Sequence, residues 1–279
     1  MNLGIAINLP HTSAEEWAKK HVDLGLSAVV FPCSHKAPLT QIDAYVEACR
    51  AYGLQIAEVG AWKNLLAKDP KARADHFAYC LHQLELADYV GASCVVNISG
   101  STGDIWDGGY LENYSAKTYS DVVDIVQKLI DQAKPSKTFY TLEPMPWMIP
   151  DSPECYLKLL NDINRTAFAV HMDIINMISD PKKYFFNQEF TDHAFAVLGK
   201  YIKSCHVKDN LLGSDLTLKL HEVPLGEGNY DIGNYLKNIR ALDKNMPIII
   251  EHLSGEENYI RAIKHFNTIA DEVSKDEKD

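Results

Sequence analysis

Several features are missing from this chain of 279 residues, and each absence removes a class of protein. No pair of cysteines is spaced C-x-x-C. The six (Cys33, Cys49, Cys80, Cys94, Cys155 and Cys205) are scattered, which excludes a zinc ribbon, a thioredoxin-like site and a secreted disulfide framework. In apolar segments such thiols act as small hydrophobes. Cys205 adjoins a candidate ligand but should point to the opposite face of its strand. Positive charge is in short supply, with 27 basic against 38 acidic residues and a net charge of −11. Such a surface repels phosphate backbones, so nucleic acid is not an expected partner. No apolar run reaches the length of a membrane span. The first residues carry no basic n-region of a signal peptide. Free thiols and no export signal together give a cytoplasmic expectation. No Gly-rich phosphate loop follows an early strand, which disfavours an open doubly wound sheet. No linker divides the chain.

What remains is an ordinary globular composition, 46% hydrophobic and 23% charged, on a chain long enough to bury a large core. Two kinds of segment alternate. Short β-branched apolar runs read as buried parallel strands at residues 3–8, 28–31, 55–59, 94–97, 138–143, 168–173, 202–207 and 247–251. Amphipathic stretches between them read as helices. Ser13 should cap the first, which runs to Leu24 with Glu16 as capping-box partner and Gly25 as stop. The others cover 41–52, 71–90, 115–133, a short helix opened by Ser152-Pro153-Glu154, then 191–201, 231–242 and 256–274. Eight strand–helix repeats in one chain of this length predict a single (β/α)8 TIM barrel over 1–279, α/β in class, which typically takes roughly 250 residues. Residues 274–279 read as a charged, frayed tail. The longest unassigned stretches, 99–113 and 210–230, follow strands, where barrels place functional loops.

Four consecutive strands end in polar ligands: Glu143 on the fifth, Asp173 on the sixth, His206 on the seventh and Glu251 on the eighth. In a barrel these ends share one mouth. Three clustered carboxylates repel one another unless a cation joins them. Three oxygens and one nitrogen with open positions favour Mn2+ or Mg2+ over a closed zinc site, with Co2+ and Zn2+ left open.

Other pieces gather around this set. They are Gly60-Ala61-Trp62-Lys63-Asn64, the 86–92 segment, Leu142-Glu143-Pro144, His171-Met172-Asp173, His206-Val207-Lys208-Asp209 and Pro224-Leu225-Gly226-Glu227-Gly228. In this order the chain resembles the xylose-isomerase-like barrel superfamily of sugar isomerases, epimerases and apurinic endonucleases, over nearly its whole length. The resemblance implies isomerisation or epimerisation of a sugar-like ketone or polyol through an enediolate. It makes Glu143 and Glu251 the acid/base pair as well as metal ligands. Ketose 3-epimerases carry His three residues after the aspartate and Arg six after the histidine; here Asn176 and Leu212 stand there. Relatives that epimerise or cleave 3-keto sugars or glycosides are therefore an alternative. The endonuclease branch uses three zinc ions and extra histidines. Here the third strand ends Glu58-Val59-Gly60, Lys219 stands where an aspartate is expected, and Asn176 replaces a histidine. A non-catalytic binding barrel would have lost a ligand or a glutamate, and none is missing.

Candidate substrate contacts complete the reading. Trp62 and Trp147 follow strands and can stack on a sugar. Asn97 either bonds a hydroxyl or caps its own loop. Asn176 occupies a substrate-binding position of the family. Lys208 either faces the pocket or pairs with Asp209. His221 is either a substrate contact or an ordinary loop residue. His171 reads as a core or supporting histidine, and His252 should point outward. The 99–103 Ser/Gly segment lacks a P-loop lysine and reads as a lid or ordinary loop. The expected partner is a small sugar-like molecule, and a homo-oligomer is compatible with the sequence.

Overall fold

The computed structural model describes residues 1–276. In chain order the elements are β1 (Asn2–Ile5), α1 (Ala14–Asp23), β2 (Ala28–Val30), α2 (Leu39–Tyr52), β3 (Gln55–Gly60), α3 (Pro70–Val90), β4 (Cys94–Asn97), α4 (Ala116–Ala133), β5 (Phe139–Leu142), α5 (Pro153–Ile163) and β6 (Phe168–Met172). They continue with α6 (Ile174–Met177), α7 (Pro181–Phe185), α8 (Asn187–Leu198), β7 (Ile202–Val207), β8 (Asp209–Leu212), β9 (Leu220–Val223), α9 (Ile232–Leu242), β10 (Pro247–Ile250) and α10 (Glu256–Asp276). Eight strands form one parallel sheet in the order β1-β10-β7-β6-β5-β4-β3-β2. Its two ends meet where Ser27 N donates to Leu3 O at 2.9 Å. This is the predicted TIM barrel.

The helix boundaries follow local chemistry. Ser13 Oγ accepts from Glu16 N, while the Glu16 carboxylate reaches back one residue further than a capping box requires, to Thr12 N. Asp69, Ser115, Ser152 and Asp231 cap their helices, and Gly53 and Gly91 end theirs in the left-handed region. Helix α8 begins at Asn187 rather than Thr191, and the two short helices α6 and α7 precede it. Asp173 and Asp180 cap these two, but four and five residues are too few to show a period. The 210–230 stretch is not a plain loop, because it contains the antiparallel β8–β9 hairpin. Nor does the chain fray at Ser274. Its hydroxyl takes a hydrogen bond from Arg240 and gives one to Ala270 O, inside α10. Residues 277–279 of the expected tail lie outside those described.

Two buried tyrosines fix the strand ends that matter. The Tyr156 hydroxyl lies between Leu142 O (2.7 Å) and Ala169 O (3.0 Å), joining β5 to β6. The Tyr235 hydroxyl lies between His206 O (2.9 Å) and Met172 O (3.1 Å), joining β7 to β6. Each hydroxyl has one proton to give and so bonds one of its two carbonyls at a time, while Tyr156 also accepts from Leu142 N and His171 N.

Candidate metal centre

Glu143, Asp173 and Glu251 each stand one residue past a strand (β5, β6 and β10), and His206 is the fifth residue of β7. The structure brings these four together, each with a potential ligand atom within 4.8 Å of the others. All are at least 95% shielded from solvent. His206 Nδ1 lies 3.0 Å from Glu251 Oε1, 3.7 Å from Glu143 Oε1 and 3.8 Å from Asp173 Oδ2. Neither His206 Nδ1 nor Asp173 Oδ2 has a hydrogen-bond partner, though both are buried. Asp173 Oδ2 lies near an ammonium, Lys208 Nζ at 2.7 Å, without hydrogen-bond alignment. Unpaired buried polar atoms are costly. An orphaned imidazole nitrogen beside three carboxylates fits a divalent cation, with three oxygens and that nitrogen as donors.

The electrostatics separate the two glutamates. Burial, then the charge of Glu251, pushes the Glu143 carboxyl up to about 7. Burial also opposes ionisation of Glu251, but the charges of His206 and Lys208 outweigh it and hold that carboxyl well below its usual range. Asp173 follows the same balance, with burial against Lys208 and His206, and ends below its usual value. Thus two carboxylates of one site carry different proton affinities because one has two cations beside it.

Sequence reasoning missed a residue behind His206. Glu58, in the middle of β3, is 2% exposed and places Oε2 3.3 Å from His206 Nε2. Its other oxygen accepts from Ser204, which also bonds His171 Nδ1 at 2.6 Å. With a metal bound, the Glu58 carboxylate would hold the single proton of His206 on Nε2 and leave Nδ1 free to ligate, the usual arrangement behind a ligating imidazole. The signal was there, since a charge inside an otherwise apolar strand is rarely free. His171 is the expected supporting core histidine; burial lowers its pKa to about 4, so it is neutral.

A cavity of about 220 Å³ opens over the centre, lined by Trp62, Ile98, Trp106, Met145, Glu143 and Glu251, with Asp107 and His252. Trp62 is where the sequence put it. Trp106 was hidden in the 99–113 loop. Trp147 is not among the lining residues. Its indole donates to Asp107 O at 2.7 Å, so it fastens that loop. Asn97 is fully buried, and Lys63 N and O and the Tyr140 hydroxyl take its amide. It clamps the loop after β3 and is closed to a substrate. Asn176 donates to Glu143 Oε1 at 3.0 Å. Lys208 does not pair with Asp209. Its Nζ lies 2.8 Å from Glu251 Oε1 as well as near Asp173.

His221 is exposed on β9 and does not line the cavity. Its neighbour Glu222 points the other way, as strand alternation requires, and lies 3.0 Å from His252 Nδ1. His252 is exposed, as expected of a residue pointing outward, and it also lines the open mouth of the cavity. It lies beyond the end of the strand at Ile250, with φ of +58°. Asp209 is buried and accepts from four backbone amides, of Asn210, Gly226, Gly228 and Tyr230. The Gly-rich 224–228 motif is wrapped around that carboxylate.

The sequence matches the Xylose isomerase-like TIM barrel family over residues 16–269, and the chain belongs to that family. Among curated proteins nothing matches it in sequence. Solved structures share the fold at low identity. A D-tagatose 3-epimerase-like protein is similar at 18% identity and a TM-score of 0.72, with 99% of each chain covered. The 3-keto-D-glucoside 4-epimerase YcjR from E. coli gives 13% and 0.72, with 97% of this chain and 99% of that one covered. A Xylose isomerase-like TIM barrel protein from Mycobacterium smegmatis, in complex with magnesium, gives 16% and 0.69, with 95% and 90% covered. Among the described residues no helix is long and apolar enough to cross a membrane.

Proposed function

We propose that this protein is a divalent-metal-dependent isomerase or epimerase of a sugar-like ketone or polyol. The observation that carries the reading is the pair Glu143 and Glu251. Both line one cavity, and both belong to one four-residue set that could hold a metal. Glu143, Asp173, His206 and Glu251 would hold the metal, with Mn2+ or Mg2+ best suited to the donors. When bound, the ion supplies positive charge to the carbonyl and hydroxyl oxygens of the substrate. One glutamate of the pair takes the proton from the carbon next to the carbonyl. The other returns a proton to the opposite face. Asp173 and His206 act mainly as holders. Trp62 and Trp106 offer ring faces to the sugar, and His252 and Asp107 offer polar groups.

The second reading, epimerisation or elimination on 3-keto sugars or glycosides, is favoured by Asn176. Its amide is spent on Glu143, where ketose 3-epimerases place a histidine. One experiment tests both. The Mn2+-loaded protein is incubated in D2O with ketose, aldose and 3-keto-glycoside panels. Deuterium should enter one panel at carbon, and Glu143→Gln and Glu251→Gln should each slow exchange by roughly 10²–10⁴-fold. Exchange that survives either change refutes the acid/base roles. No exchange with any panel refutes the enzyme.

A further inference from the structure

Lys208 lies two residues beyond His206, just past the end of β7, and its side chain turns to the same mouth. It is 3% exposed. Its ammonium is 2.7 Å from Asp173 Oδ2 and 2.8 Å from Glu251 Oε1. It therefore occupies the oxygens of two of the four candidate metal ligands. A third carboxylate, Glu222 on β9, lies 3.5 Å away and belongs to no ligand set.

We infer that Lys208 is a resident counter-cation of the metal centre: it holds Asp173 and Glu251 in the metal-free protein, yields them to a divalent ion, and falls back on Glu222. The inference rests on the metal reading above and adds a regulation to it. Buried carboxylates without a cation are strongly unfavourable, so a metal-free site needs charge from the chain itself. Lysine suits the task. It is a compact point charge on a flexible stem, with three donors, and can change partners without moving the backbone. The fallback acceptor is already in place. Glu222 is held by His252 at 3.0 Å, and Asp209 anchors the base of the hairpin that carries it. The centre would thereby stay folded when empty, at the expense of affinity when it fills.

A permanent structural ion pair predicts the opposite sign for the decisive experiment. If Lys208 only aligns the carboxylates, removing it disorders the ligands and weakens metal binding. If it competes with the metal, removing it strengthens binding. Mn2+ is titrated calorimetrically into the wild-type protein, Lys208→Met, Lys208→Gln, Glu222→Gln and the Lys208→Met/Glu222→Gln double variant. The melting temperature of each is measured with chelator and with Mn2+. Both Lys208 variants should bind at least about tenfold tighter, since a like charge next to the ion is gone. Their metal-free forms should melt lower and gain more from Mn2+. Glu222→Gln should weaken binding in the wild-type background and do so less once Lys208 is absent. Affinity at or below wild type in both Lys208 variants overturns the inference and leaves the metal reading intact. Failure of every protein to bind Mn2+ or Mg2+ overturns both. If the Lys208 variants do not fold, an unchanged Mn2+ affinity in Glu222→Gln is the overturning result.

Discussion

Asp209→Asn is a small change with a large expected cost. The carboxylate is 1% exposed, and its oxygens divide four backbone amides between them. Oδ1 accepts from Asn210 N at 2.8 Å and Tyr230 N at 3.0 Å. Oδ2 accepts from Gly226 N and Gly228 N, each at 3.0 Å. Asparagine keeps one acceptor oxygen. Whichever way its amide turns, an NH2 group faces two N–H groups that need an acceptor. Each orphaned donor costs about 1–3 kcal/mol, so the substitution should cost roughly 2–6 kcal/mol. Glycine at 228 leaves no slack, because a Cβ there would lie 2.2 Å from Asp209 Oδ1. Asp209→Ala makes an instructive control. It removes every acceptor but opens space for a water, which can serve several donors. Asparagine should therefore be no milder than alanine. Urea unfolding followed by circular dichroism gives the stabilities, and limited proteolysis reports whether the 224–230 segment opens first. A Asp209→Asn protein within about 0.5 kcal/mol of wild type, the scatter of ordinary surface changes, would refute the reasoning.

Two further outcomes are expected. Glu58→Leu should lower Mn2+ affinity roughly 10–100-fold, because His206 loses the acceptor that directs its proton away from the ligand side; calorimetric titration with unchanged affinity would remove Glu58 from the centre. Asp88 accepts from the backbone amides of Ser136, Lys137 and Thr138 at the entry to β5. Burial raises its carboxyl, but these amides and the Ser136 hydroxyl outweigh burial and leave it below 3.8. A depressed carboxyl contributes stability above its unfolded pKa and loses it as pH falls through the folded value. Because water can replace the carboxylate at these largely exposed amides, Asp88→Ala should cost only about 0.5–1.5 kcal/mol at neutral pH, with the gap closing below the ordinary aspartate range. Thermal melts that keep a constant gap down to pH 2.5, on the order of a unit below that range, would count against it.

Much of the fold was legible because its signals are local. Ser13, Ser115, Ser152 and Asp231 cap within three residues of themselves, and Gly53 and Gly91 announce their stops. Elements without room for a period, α6 and α7, escaped, and so did the hairpin hidden in a polar stretch. Strand alternation served Cys205, which is buried among apolar neighbours, but beyond the strand end it gave no sign that the exposed His252 also lines the cavity.

The site divides along the same line. The four candidate ligands and their order were written in the chain, since four successive strand ends of a parallel barrel must share a mouth. Their partners were not. Glu58 reaches His206 from 148 residues away, and Lys208 reaches Glu251 from 43, so neither pairing leaves a trace in spacing. Asn97, Trp147 and His221 stood at positions as suitable as that of Trp62, and only packing decided that Trp62 faces the cavity while the other three do not. By itself the sequence determined the barrel and which residues end its strands, because periodicity and strand ends are properties of consecutive residues. Tertiary structure alone decided which glutamate has cations beside it, because proton affinity is set by burial and by neighbouring charges that are distant in the chain.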